Sequence, residues 1–139
     1  MSNLLEGKTL LVTGASAGIG RAAAIGAAKH GADVGINYSR DDAGAQAVVA
    51  EIESMGRRAI AVKGDVSDPA TAQEFISRST EYLGKVDVFV NNAGICPFHS
   101  LLDMPVETVD RTMRGGTRTP SLATAWYMPV ICSNVIVRP

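Results

Sequence analysis

The sequence predicts an α/β protein: a doubly wound parallel sheet, truncated to about four strands, with helices on its flanks. Three observations predict it. Short apolar runs rich in β-formers alternate with longer stretches of helical periodicity over residues 1–110. The first run opens into LVTGASAGIG, residues 11–20, a loop with glycines at Gly14, Gly18 and Gly20. The helices between the runs, about 12 to 16 residues each, suit right-handed crossovers between parallel strands.

Taken in order, Thr9–Val12 (TLLV) is a short β run entering the glycine loop. A helix from Gly18 to His30 follows, with Ile19, Ala22, Ala23, Gly26 and Ala27 expected on its inner face and Gly31 as its stop. Small residues there let a helix lie close to a sheet. Ala32–Tyr38 (ADVGINY) is the second strand, and Ser39 with Asp42 resembles a capping box for a helix running to Met55. Arg58–Lys63 (RAIAVK) is the third strand. Asp68 caps the next helix with Pro69 at its first position; Ala72, Phe75, Ile76, Ser79, Tyr82 and Leu83 form its inner face and Gly84 ends it. Val86–Val90 (VDVFV) is a fourth strand, apolar enough for burial on both faces. A loop over Asn91–Ser100 and a further helix over Met104–Met113 complete the pattern.

Bulk properties exclude several functions. The chain has 139 residues, 46% of them hydrophobic and 19% charged, enough for one globular core. A net charge of −1 argues against sequence-independent nucleic-acid binding, which needs a basic surface. No run approaches the ~18 to 20 apolar residues of a membrane helix, and MSNLLEGKTL lacks the pattern of a secretory leader. Cys96 and Cys132 are in no metal-type spacing and read as two reduced thiols of a cytoplasmic protein. All 14 acidic residues lie at or before Asp110 and the last lysine is Lys85, so only arginines carry charge beyond that point. This composition break divides the chain into residues 1–113 and a divergent tail, 114–139.

The loops of interest all follow strands, at Gly14–Gly20, Tyr38–Arg40, Asp65–Val66 and Asn91–Gly94. They converge on one edge, where open α/β sheets bind ligands. In the first loop, Gly14 permits a turn too tight for a Cβ, Gly18 lets backbone amides approach a phosphate, and Gly20 lets helix and strand pack. The helix start then directs unpaired N–H groups and a partial positive charge at an anion. A plain strand–helix turn would need the same glycines. A phosphate loop of the Gly-Lys-Ser/Thr type is excluded because that tripeptide is absent.

With Val90-Asn91-Asn92-Ala93-Gly94 added, the sequence resembles the short-chain dehydrogenase/reductase family. The resemblance rests on Thr13-Gly14-Ala15-Ser16-Ala17-Gly18-Ile19-Gly20, Asp65-Val66 and Asn91-Asn92-Ala93-Gly94, in that order, and covers roughly residues 5–113. It implies a Rossmann-type fold, NADP or NAD as cofactor, and hydride transfer between an alcohol and a carbonyl. It also implies that Ser16, Gly18, Ile19 and Gly20 meet the diphosphate and adenosine ribose. Asp65 and Val66 would flank the adenine, and Asn91, Ala93 and Gly94 line the way to the nicotinamide ribose. Thr13 is expected to tie the loop to the fourth strand. Members preferring NAD tend to carry an acid at the end of the second strand. Tyr38, Ser39 and Arg40 stand there instead, which favours NADP. Alternatively, Arg40 is a solvated residue drawn aside by Asp41 and Asp42.

Gly94-Ile95-Cys96-Pro97-Phe98-His99 with Leu102–Glu107 looks like the sugar-oxidising members, L-rhamnose 1-dehydrogenases in particular. That would imply a small-molecule substrate, an aldose such as L-rhamnose, with His99 either at its rim or an ordinary loop histidine. The family's catalytic Ser and Tyr-x-x-x-Lys have no counterpart: no lysine follows Lys85, Tyr127 is followed four residues on by Ile131, and Ser121, Ser133 and Asn134 lack partners. No catalytic residue and no metal ligand is assigned. A shifted reading frame, an unspliced intron or a gene-annotation error would each produce such a tail. The expectation is a cofactor-binding half, with the fourth strand's flank uncovered unless a strand such as Val130–Val137 pairs there. Marginal stability or a homo-oligomer through that flank would follow.

Overall fold

The computed structural model describes residues 3–94, 105–108, 110 and 135–137. The elements run β1 (Thr9–Val12), α1 (Gly18–Lys29), β2 (Asp33–Tyr38), α2 (Asp42–Ser54), β3 (Ala59–Lys63), α3 (Pro69–Leu83), β4 (Val88–Val90) and β5 (Val135–Val137). One sheet holds all five strands in the order β3-β2-β1-β4-β5. The first four are parallel, and β5 adds antiparallel to β4 with Phe89 opposite Ile136. The doubly wound fold is therefore as expected from sequence. The flank of β4, expected to be open unless a tail strand such as Val130–Val137 paired there, carries Val135–Val137 of that run; residues 130–134 lie outside the described residues.

Alternation along the strands builds two cores. Leu10, Val12, Val34 and Ile36 face α1 and α2, where they meet Ala24, Ala27, Ala28, Val48 and Ile52. Leu11, Val62 and Phe89 face α3 and pack with Phe75 and Leu83, the two phenyl rings meeting edge to face at 6.1 Å. Gly35 in mid-strand leaves room for this second layer: a Cβ there would stand 3.0 Å from the Ser79 hydroxyl oxygen.

Several local expectations are corrected. The buried face of α1 is Gly20, Ala24, Ala27 and Ala28, and Ile19 is 82% exposed. The helix is small and apolar nearly all round, so periodicity alone does not fix its rotation. The cap of α2 is Asp41, whose carboxylate accepts from the Gly44 amide at 2.9 Å, and not Ser39. In β4 only Phe89 is buried, with Val88 and Val90 half-buried, because α1 and α2 lie over β1, β2 and β3. Tyr82 is half-exposed and Ile76 only partly buried on α3, although Asp68, Pro69 and Gly84 start and stop that helix as read from sequence. Residues 106–108 and 110 are helical; the rest of the helix expected over Met104–Met113 lies outside the described residues, as do Cys96, His99, Ser121, Tyr127, Cys132, Ser133 and Asn134. Among the described residues no helix is long and apolar enough to cross a membrane, and no cluster of His, Cys, Asp and Glu is placed to hold a metal ion.

Candidate dinucleotide site

The carboxyl ends of β1, β2, β3 and β4 form one rim. Strand β1 lies between β2 and β4, so the chain reverses its direction of winding there, and the crevice opens at that point. Side-chain amides stitch the rim together. Thr13, 1% exposed, accepts from the Asn92 amide at 3.1 Å and the Ala93 amide at 3.0 Å through its hydroxyl. The Asn92 side chain donates back to the carbonyls of Thr13 and Gly14 at 3.2 and 3.0 Å. On the other side of β1, the Ala15 amide donates to the Asn37 carbonyl at 3.0 Å. The buried Asn37 side chain donates to the carbonyls of Val62 and Gly64 at 3.3 and 3.0 Å. Thr13 thus ties the loop to the β4 end, as its position in the motif implied. The stitching role of Asn37 was not recognised from sequence; a polar side chain inside an otherwise apolar strand was its only signal.

The three glycines divide the work. Gly14 has φ +64°, and an added Cβ would lie 2.9 Å from the Ala93 Cα, so both the turn and the close approach exclude a side chain. Gly20 faces inward, where a Cβ would overlap the Asn92 side-chain nitrogen and come within 2.6 Å of the Gly14 carbonyl oxygen. Gly18 has φ +62° and open space around its Cα, leaving the backbone at the start of α1 bare on its outer side.

That start is electrically incomplete. The cap position of α1 is Ala17, which has no side chain to accept from the first-turn amides, and the turn contains no acid. The other two long helices are closed by aspartates, Asp41 on the Gly44 amide and Asp68 on the Ala70 amide at 2.9 Å. The first turn of α1 therefore offers unpaired donors and a partial positive charge at the mouth, beside half-exposed Ser16 and exposed Ile19. Just after β4, the Asn91 side-chain oxygen is buried without a hydrogen-bond partner among the described residues. Ala93 and Gly94 continue the same segment. An orphaned acceptor at the β4 end and uncapped donors at the start of α1 suit a ligand that carries hydroxyls and phosphate together.

The β2 and β3 ends carry a charged group. Tyr38 and Lys63 are register partners across the two strands. The buried Tyr38 donates its hydroxyl to Asp42 at 2.9 Å, and the Lys63 ammonium donates to both oxygens of the same carboxylate at 3.1 and 2.9 Å. The bond from Lys63, then that from Tyr38, holds the Asp42 carboxyl below the usual range. The bond to Asp42 raises the Tyr38 phenol, and likewise raises the Lys63 ammonium. Arg40 is exposed just before these two acids. With Asp41 committed to Gly44 and Asp42 to Tyr38 and Lys63, neither carboxylate draws its guanidinium aside. Asp65 lies exposed beyond β3, where its carboxylate accepts from the Ser67 amide at 2.9 Å and the Ser67 hydroxyl at 2.7 Å; Val66 beside it is buried.

Comparison with known proteins agrees with this geometry. The family model for short chain dehydrogenases matches residues 8–130. The chain is 62% identical over 135 residues to an L-rhamnose 1-dehydrogenase (NAD(P)(+)) of Sphingomonas sp. (strain SKA58), covering 97% of this chain and 51% of that protein. It is 50% identical over 113 residues to the protein of the same name from Azotobacter vinelandii, covering 79% of this chain and 44% of the other. A short chain dehydrogenase from Burkholderia cenocepacia J2315, solved in complex with NADP, superposes with a TM-score of 0.84 at 45% identity over 87% of this chain and 49% of that one. The chain spans about half the length of the curated relatives it matches.

Proposed function

The chain belongs to the short chain dehydrogenase family, and from that premise we propose that it holds a pyridine dinucleotide across the β1 switch point, NADP in preference to NAD. The observation that carries this reading is the uncapped, acid-free start of α1, which opens onto the mouth between β2 and β4. The amides following Gly18, with Ser16, Ile19 and Gly20, meet the diphosphate and the adenosine ribose. Asp65 and Val66 border the adenine. Asn91, Ala93 and Gly94 border the nicotinamide ribose, where the orphaned Asn91 oxygen accepts from a hydroxyl. Arg40 at the end of β2 takes the 2′-phosphate that distinguishes NADP, with Tyr38 as the floor beneath it.

The bound dinucleotide supplies hydride transfer, in the family between an alcohol or sugar hydroxyl and a carbonyl. Two relatives bear the name L-rhamnose 1-dehydrogenase, which supports an aldose as the substrate class. Proton transfer also needs a positioned acid–base group. No Tyr-x-x-x-Lys occurs in these 139 residues and no lysine follows Lys85. We therefore read this chain as binding the dinucleotide without turning substrate over, whether as a binding remnant or as a partner subunit of an intact relative. Titration calorimetry with NADP and NAD tests the binding, with tighter binding of NADP expected and no heat from either refuting it. Absorbance of reduced nicotinamide in a mixture with NADP and L-rhamnose tests the rest. Sustained turnover, abolished by Gly18→Asp, would show that the chain is itself catalytic.

A further inference from the structure

We infer that Lys63, acting through Asp42, is a positioning residue for cofactor choice: it holds and neutralises the acid that would otherwise compete with a 2′-phosphate for Arg40. The inference deepens the dinucleotide reading above and rests on it. Asp42 lies two residues beyond Arg40, and the two already meet through the backbone, the Asp42 amide donating to the Arg40 carbonyl at 3.1 Å. A free carboxylate at that place would face the phosphate with like charge and offer the guanidinium an internal partner. Instead, the β2–β3 register sets Lys63 beside Tyr38, and both donate to Asp42. Tyr38 supplies the fixed point, since it is buried, and Lys63 supplies the charge.

The pair is a poor stability device. The Lys63 and Asp42 side chains are 54% and 61% exposed, and exposed ion pairs contribute little to folding. Its leverage is local. Without Lys63, the neighbourhood of Arg40 changes by one unit of charge, and Asp42 loses the partner that directs it toward β3. The phosphate that separates NADP from NAD carries close to two negative charges, so this change falls on NADP and much less on NAD.

Calorimetric titration of the whole chain with NADP and with NAD tests this in the parent, Lys63→Met, Lys63→Arg, Asp42→Asn and the double variant Lys63→Met/Asp42→Asn. Lys63→Met is expected to weaken NADP roughly three- to tenfold, less at high salt, while NAD changes less than about twofold. Lys63→Arg restores the preference, and removing the acid in the double variant returns NADP affinity to near the parent's. Circular dichroism checks that each variant is folded. Equal loss for both dinucleotides would overturn the inference, as would a double variant as weak as Lys63→Met alone, which would place Lys63 on the phosphate itself. If the parent prefers NADP but Lys63→Met leaves that preference unchanged, only this inference fails. If the parent binds neither dinucleotide, the proposed function fails with it.

Discussion

Replacing Thr13 by valine removes one oxygen and keeps nearly the same shape, so it isolates the two bonds that tie the glycine loop to the end of β4. The hydroxyl accepts from the amides of Asn92 and Ala93 at 3.1 and 3.0 Å, and the side chain is 1% exposed. A net contribution of about 1 kcal/mol per bond gives about 2 kcal/mol, and the unpaired amides left on a half-buried segment raise that to about 2–3 kcal/mol. Burial of the new methyl offsets less than about 1 kcal/mol. Thr13→Val should therefore lose about 2 kcal/mol in urea unfolding followed by circular dichroism, with the m-value unchanged. Thr13→Ser keeps the acceptor and should lose distinctly less. Dinucleotide affinity should fall in Thr13→Val as well, since the wall formed by residues 91–94 is no longer held. A Thr13→Val protein within about 0.5 kcal/mol of the parent, the range of an inert surface change, would refute the stitched-rim account.

Gly20→Ala forces a methyl against the Asn92 side chain and the Gly14 carbonyl oxygen, so unfolding should show a loss of about 1–3 kcal/mol, as for an overpacked core site. Arg40→Ala should weaken NADP about tenfold to a hundredfold in calorimetry, the worth of one charge-assisted contact, with NAD little affected. Acid should destabilise the fold through Asp87. Burial alone would raise its carboxyl, but the bond from the Thr9 amide, the bond from Lys85 and the charges of Lys85 and Lys8 outweigh that and hold it below the usual range. Its stabilisation is therefore complete above the unfolded carboxyl value of about 4 and is lost as pH falls through the lower folded value. Urea midpoints measured from pH 6 down to pH 3 should decline, and Asp87→Asn should lower the neutral-pH midpoint while flattening that decline. Saturation with NADP at about 100 times its dissociation constant should add about 2.7 kcal/mol to the parent's stability, read as a shift in the unfolding midpoint.

What could be read in the sequence was what neighbouring residues decide. The run into Gly14, the Asp68-Pro69 start and the Gly84 stop each depend on a few adjacent residues, and each stands where the pattern put it. The rotation of α1 was not legible, because GIGRAAAIGAAK presents small apolar residues on almost every face. What fixes it is Gly20 against Asn92, a contact between residues 72 positions apart in the chain. The Tyr38–Asp42–Lys63 group was hidden for the same reason: it exists only once β2 and β3 adopt their register. The capping-box pattern pointed to Ser39 with Asp42, but the helix begins at Asp42, which leaves Asp41 as the residue whose carboxylate reaches the Gly44 amide.

The amide stitching on both sides of β1 has a kinetic consequence. Asn92 lashes the β4 end to β1, the Ala15 amide joins β1 to the β2 end, and Asn37 lashes the β2 end to β3, all before any ligand arrives, so little ordering entropy remains to be lost on association. The crevice should behave as a rigid socket: entry limited by encounter and orientation, a single-exponential approach to equilibrium, and an observed rate linear in ligand concentration with no plateau from a slow opening step.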